Sequence, residues 1–280
     1  MDLKKKVDQL LQELKLEKFS KVILDGEKLL KKNQDKGYLY NICGLAHQRL
    51  NKIDNSIVYF NKAISLEPQN LGYKNNIANS FISLCKYEEA EDIFKKILTI
   101  DPKNTPALVN YARLKNILLD FKNSINLYEN ALKLIKNDLG IWLNLGSVYQ
   151  SIGDFNKANN IFNNILKVKS NFIPAHVSIS KINNYNENNS NLSLMLDLNK
   201  SHNLKKKEKS DLEFAIGKAY DDKKNYELSV KYFASANKKR KELVNYHFKS
   251  DEKLFKSIKN YFQKLDLNKF KKSIVFSILL

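Results

Sequence analysis

The chain has 280 residues, 28 % of them charged and 43 % hydrophobic, a balance that excludes an intrinsically disordered polypeptide. Eight Gly and four Pro are too few for a loop-rich all-β or collagen-like protein, and two Cys cannot build a disulfide framework. The formal charge is +18, yet of 48 basic residues only Arg49, Arg113 and Arg240 are arginines, the side chain suited to bidentate phosphate contacts.

Diffuse lysine in a chain crowded with Asn and Ile reads as codon composition rather than as a nucleic-acid-binding stripe, so nucleic acid is not the expected partner. The excess is uneven. Residues 199–280 carry 21 cations and 10 anions, net +11, whereas residues 1–198 carry 27 and 20, net +7. The N-terminal stretch has basic residues but no apolar core of a secretory signal, and no run reaches the ~18 apolar residues of a membrane span. A soluble, cytoplasmic protein without membrane contact is expected, with Cys43 and Cys85 as ordinary thiols.

In chain order, residues 1–36 hold a weak helical pattern, mainly Phe19, Val22 and Leu29, of the sort a capping repeat shows. From residue 37 a period of 34 takes over without insertion, giving units 37–70, 71–104, 105–138 and 139–172. Gly44, Ala78, Ala112 and Gly146 recur at the eighth position, and Phe60, Phe94, Tyr128 and Phe162 at the twenty-fourth. Each unit has two apolar runs of helical spacing separated by a short polar turn.

Other positions complete the pattern. The fourth is Tyr40, Lys74, Leu108 and Trp142, and the seventh is Cys43, Ile77, Tyr111 and Leu145. The eleventh is His47, Phe81, Lys115 and Tyr149. The twentieth is Ser56, Ala90, Ser124 and Ala158, and the twenty-seventh is Ala63, Ile97, Ala131 and Ile165. Pro68 and Pro102 close the first two units, while Lys136 and Ser170 stand at the same place in the next two. These residues resemble the tetratricopeptide pattern. The resemblance implies an all-α, right-handed superhelical solenoid of helix hairpins, each burying its apolar face only against its neighbours. Lys74 and Lys115 depart from the pattern, which predicts looser packing in the middle hairpins.

Beyond the array, residues 173–209 start a fifth unit at Ile173-Pro174-Ala175-His176, lose register through a polar loop at 183–191 and resume as a helix over 192–204. Residues 210–243 return to the pattern with Gly217, Tyr220, Tyr226, Ser229, Phe233 and Ala236. Residues 244–280 read as a connecting helix followed by an apolar stretch.

Candidates for chemistry fail one at a time. His47 and His176 occupy packing positions, and His202 and His247 stand alone in polar segments. None has a second ligand at metal spacing, and there is no Gly-rich phosphate loop. No catalytic residue, metal or cofactor is expected. What remains is a surface. Positions 2, 5, 6, 9, 12 and 13 of each first helix avoid the packing positions and share a face. That face carries Asn41, Asn75, Asn76, Asn79, Asn110, Arg113, Asn116, Asn144 and Gln150. Asn76, Asn110 and Asn144 repeat at the sixth position, which resembles the asparagine ladder of the O-linked sugar transferase superhelix. The resemblance implies a concave groove whose amides hold an extended peptide by its backbone.

The segments 173–182, 211–241 and 251–262 resemble the connecting region of bacterial proteins that join tetratricopeptide repeats to a sulfotransferase domain. That family's connecting region leads into a strand and a Gly-Met-Pro-Arg-Ser-Gly-Thr loop for phosphoadenosine phosphosulfate. Here Lys272-Ser273-Ile274-Val275-Phe276 would begin the strand and the loop is absent, so the resemblance implies the non-catalytic part of such an enzyme, from a truncated or frameshifted gene. A C-terminal amphipathic helix over 252–270 with a short apolar tail is the other reading. The function expected first is a non-enzymatic scaffold that binds proteins or peptides in its concave groove.

Overall fold

The computed structural model describes residues 3–186, 190–201, 203–244 and 248–264. All regular structure in them is helical, and the contacts divide the chain into two units, 1–182 and 183–280. No helix among the described residues is long and apolar enough to cross a membrane.

Unit 1 holds eleven helices: α1 (Leu3–Lys15), α2 (Phe19–Leu30), α3 (Gly37–Arg49), α4 (Ile53–Leu66), α5 (Leu71–Ser83), α6 (Tyr87–Ile100), α7 (Thr105–Ile117), α8 (Phe121–Leu134), α9 (Leu139–Ser151), α10 (Phe155–Val168) and α11 (Ile173–Ile182). The first ten pair into hairpins. The 34-residue period thus becomes a first helix of 13 residues and a second of 14 in each of the four regular repeats.

Each hairpin turns in the same way. The fifteenth residue of the repeat adopts a left-handed conformation, at Asn51, Cys85, Leu119 and Gly153. The next N–H then reaches back to a carbonyl in the last turn of the first helix, as from Lys52 to His47 (2.9 Å) and from Asp154 to Tyr149 (2.9 Å). This closure satisfies carbonyls that the helix end would leave bare. Only Gly153 adopts it without steric cost to a side chain. The turns between hairpins end instead on a side-chain cap. Asn70, Asn104 and Asp138, the last residue of each repeat, accept hydrogen bonds from the first backbone N–H groups of α5, α7 and α9.

Packing explains the small eighth position. A methyl group added at Gly44 would come within 2.6 Å of the Phe60 ring, and one at Gly146 within 2.5 Å of the Phe162 ring. Ala78 and Ala112, both fully buried, share their clusters with Phe94 and Tyr128 at the equivalent positions. The capping hairpin follows suit: Leu10, Val22 and Leu30 join Cys43 and Ala46 in one cluster, with Phe19 and Leu29 only partly buried around it. α11 packs on α9 and α10 and covers the last hairpin.

In the middle hairpins that carry Lys74 and Lys115, Phe94, Ile97, Ala112 and Leu114 are still completely buried. The Lys115 ammonium lies over the Tyr111 ring (5.4 Å to its centre) and meets Glu91 (3.0 Å) and Asp120 (3.3 Å). Glu91 also receives Lys95 (2.8 Å) and the Tyr111 hydroxyl (2.9 Å). Burial by itself would raise its pKa, but the hydrogen bonds from Lys95, Lys115 and Tyr111 outweigh that and hold the carboxyl at about 2.

Unit 2 contains α12 (Ser190–Asn199), α13 (Lys206–Asp222), α14 (Tyr226–Leu243) and α15 (Phe248–Lys264). α12 ends before the expected residue 204 because the N–H groups of Lys200 and Ser201 turn back to Asp197 and Leu198 in a tighter final turn. α13 and α14 form a longer hairpin, with Gly217 close against Phe233 and with Ser229 and Ala236 buried. Tyr226, in contrast, is exposed. The apolar stretch 272–280, where a strand was expected, lies outside the described residues, as do His202 and His247.

Two outcomes follow. Gly146→Leu should lower stability by ~1–3 kcal/mol or more through overpacking against Phe162, read from urea denaturation, while Gly146→Ala costs clearly less, as the alanine-bearing repeats imply. Glu91→Gln should be less stable than the parent at neutral pH. Because the folded carboxyl is held below its ordinary value of 4.5, its stabilisation is complete above pH 4.5 and is lost as pH falls towards about 2. The gap between parent and variant should therefore close across that window. A gap independent of pH would refute the assignment.

Candidate functional site

Within unit 1 each first helix touches the next, α1 to α3, α3 to α5, α5 to α7, α7 to α9 and α9 to α11, whereas no second helix touches the next second helix. The stack is therefore tight along its first helices and open along its second helices. This makes the first-helix face of the repeats the inner one, and it carries the amides singled out above.

The structure joins six of these nine residues in pairs across neighbouring first helices. The Asn76 side-chain N–H donates to Oδ1 of Asn41 (2.8 Å), and Asn110 donates to Oδ1 of Asn75 (3.1 Å). In both pairs the sixth position of one repeat reaches the fifth position of the repeat before it. Arg113 donates to Oδ1 of Asn79 (2.8 Å), ninth position to ninth. The expected ladder is thus cross-braced from helix to helix. Asn75 is buried by its brace, Arg113 stays exposed, and Asn41, Asn76, Asn79 and Asn110 are half-buried.

Asn144 breaks the bracing for a simple reason. The fifth position of the preceding repeat is Val109, which offers no acceptor, and no hydrogen bond holds the Asn144 amide among the described residues. It remains half-buried with its donors and acceptor uncommitted. Gln150 is likewise half-buried, and Asn116 has its Oδ1 buried without a partner. Even the braced pairs retain capacity. An amide offers two N–H donors and an oxygen with two lone pairs, and each brace uses one donor of one partner and one lone pair of the other.

Two residues belong to this network that the sequence pattern did not single out. Gln48, at the twelfth position, donates to Oγ of Ser80 (2.9 Å) and to the backbone oxygen of Asn76 (3.3 Å), and Ser80 also pairs with Ser56 (2.9 Å). Gln48 shares the face with the asparagines, so its spacing was a usable signal. Ser80 is at the tenth position, which the pattern leaves free, and only the fold shows its role.

The residues set aside as chemically inert are placed accordingly. His47 is buried and stacks on Tyr59 at 5.0 Å between ring centres, with both ring nitrogens unpartnered. Burial pushes its pKa down, against a pull from Glu27. His176 is fully buried with its Nε2 2.7 Å from the Ser170 carbonyl. Burial pushes the Cys43 thiol up to about 12, far from a reactive thiolate. Cys85 is exposed in a hairpin turn. No group of three or more His, Cys, Asp or Glu among the described residues is arranged to hold a metal ion.

The bracing predicts an uneven response to truncation. Asn76→Ala and Asn110→Ala should each cost about 0.5–1.5 kcal/mol, the net value of an ordinary hydrogen bond, whereas Asn144→Ala should stay within about 0.5 kcal/mol of the parent. Denaturant unfolding monitored by circular dichroism measures both. Equal losses at all three positions would contradict the bracing.

Known proteins bear this architecture out. The tetratricopeptide repeat model matches residues 38–70, 71–104 and 139–172. No curated protein matches the chain. Among solved structures, a tetratricopeptide repeat protein from Parabacteroides merdae is 14% identical, with 90% of this chain and 97% of that one covered and a TM-score of 0.61. A thermophilic tetratricopeptide repeat protein of Thermus thermophilus is 15% identical over 64% of this chain and 97% of its own, with a TM-score of 0.59. The C-terminal part of a repeat-containing protein from Cytophaga hutchinsonii gives 14% identity, 82% and 93% coverage and a TM-score of 0.52. Likeness at such identities speaks for the fold alone. Three hairpins thus match the tetratricopeptide repeat model directly, and residues 105–138 fold as the same kind of hairpin between them, within an all-α helical stack.

Proposed function

We propose that unit 1 is a binding scaffold that holds an extended peptide of a protein partner along its inner, first-helix face, and that it performs no chemistry itself. The observation that supports this most is the run of half-buried amides on successive touching helices: Asn41, Asn76, Asn79, Asn110 and Asn144, extended by Gln150. An extended peptide presents N–H and C=O groups at regular intervals, and amides can meet both without reading side chains. Bracing adds to the suitability, because Asn76 and Asn110 are already fixed by their partners and lose little freedom on binding. Asn75 and Asn116 support the face from within rather than contact a ligand, since Asn75 and the Asn116 oxygen are buried. Arg113, exposed beside Asn79, would favour an acidic side chain on the peptide.

The recruitment of substrates for a sulfotransferase, implied by the resemblance of 173–182, 211–241 and 251–262, rests on sequence likeness alone. No feature of α12–α15 adds to it, and the scaffold reading is the one carried forward.

Peptides selected from a random library on the intact protein test the reading. Backbone recognition predicts that scrambling a selected peptide changes affinity little, while N-methylating its central peptide bonds weakens binding at least tenfold. Asn144→Ala combined with Gln150→Ala should weaken binding by about five- to tenfold, or ~1–1.4 kcal/mol, without loss of stability. Undiminished binding of the N-methylated peptide would exclude the amide mechanism.

A further inference from the structure

The separation of second helices leaves furrows on the side of the stack away from the amides. Each is floored by the first helix that lies between two second helices. On α9, at about 100° per residue, Trp142, Leu145 and Tyr149 point about half a turn away from the face of Asn144 and Gln150. Between α8 and α10 these three side chains, with Leu132 and Ile161, line an open furrow of about 560 Å³. The floor is apolar and aromatic. The Trp142 indole N–H donates to the Lys136 carbonyl (2.9 Å), which satisfies its polar edge and leaves the ring face free for contact.

The rim has a definite sign. Lys133, Lys136 and Lys157 border the furrow against a single acidic residue, Glu129. All three lysines are exposed. Lys133 meets the neutral amide of Asn130 (3.0 Å), and Lys157 lies over the Tyr149 ring (5.1 Å) while ion-paired with Asp154 (3.0 Å). The chemistry recurs along the stack. The furrow between α2 and α4 sets Lys31 and Lys62 around Tyr40 and Val58, its Glu27 being bound by the Tyr59 hydroxyl (2.8 Å). The furrow between α4 and α6 sets Lys74 and Lys96, the latter paired with Asp92 (2.6 Å), around Ile77 and Phe81. In each, lysines outnumber carboxylates around an apolar floor, so the complementary ligand is apolar on one side and acidic on the other.

We propose that the outer furrow between α8 and α10 docks an acidic, amphipathic peptide segment of a protein partner, its aliphatic side chains seated on Trp142 and Tyr149 and its carboxylates facing Lys133, Lys136 and Lys157. This surface is separate from the amide face, and one chain can occupy both at once.

Trp142 is the single tryptophan of the chain, so its emission reports the furrow directly. The probe is a synthetic peptide of about 14 residues with leucines at i, i+3 and i+7 spacing and glutamates elsewhere. Titrated into the intact protein, it should give a saturable change in Trp142 emission that weakens as salt rises. A peptide with lysines in place of the glutamates, and one with serines in place of the leucines, should give none. The combined variant Lys133→Glu, Lys136→Glu, Lys157→Glu should raise the Kd at least tenfold while keeping parental helicity, whereas Asn144→Ala with Gln150→Ala should leave it unchanged. No saturable change with the acidic peptide, equal binding of the lysine peptide, or an undiminished affinity of the charge-reversed variant would each overturn the proposal. Loss of binding in the Asn144 and Gln150 variant instead would place the peptide on the amide face and overturn it too.

Discussion

The close approach of a small residue to an aromatic ring, made in each of the four regular hairpins and again in α13–α14, is the constraint on which the rest of the structure depends. Gly44 against Phe60, Gly146 against Phe162 and Gly217 against Phe233 leave no room for an added methyl without movement of the ring. That contact sets the distance between the two helices, and the left-handed turn residue sets how one follows the other. With distance and turn repeated, every hairpin presents the same apolar edge to its neighbour. No hairpin can cover that edge alone, so the repeats stack, with α1 and α2 at one end of the array and α11 at the other.

Stacking creates two faces of different chemistry. First helices that touch bring their outward positions within hydrogen-bond reach, and amides there lock together as Asn76 to Asn41 and Asn110 to Asn75. Second helices that stay apart expose the other side of the same first helices, where Trp142 and Tyr149 form a floor between lysines. One helix such as α9 therefore has three tasks: its eighth position closes the hairpin, one side faces the amide network and the opposite side floors a furrow. The ion pairs follow the same logic. Lys115 stands where an aromatic ring packs in other repeats, and it is tolerated because Glu91, Asp120 and the face of the Tyr111 ring all meet its ammonium.

The charge of the chain reads differently in this light. A diffuse lysine excess looks like composition when counted along the sequence. Folded, part of it is taken up in pairs within helices, such as Lys95 with Glu91 and Lys28 with Asp25, and part of it gathers at the rims of the outer furrows. The lysines of a furrow come from different helices, Lys133 from α8 and Lys157 from α10, so no linear window shows their cluster.

The period of 34 residues carried the hairpins, their lengths, the small eighth position and the amide-bearing face, because a helix repeats its faces every 3.6 residues and a regular stack repeats them again every unit. Buried positions such as His47 and Cys43 were legible for the same reason. Only the tertiary structure decided which amides pair and which stay free. That depends on the residue one unit away and one position back, where Asn41 and Asn75 accept but Val109 cannot. It also decided that Lys115 finds Glu91 and Asp120 for its ammonium, and that the sides of the first helices left open between second helices form furrows. Such outcomes arise from distances between neighbouring repeats, and a pattern read along one chain holds directions within a helix but not separations between helices.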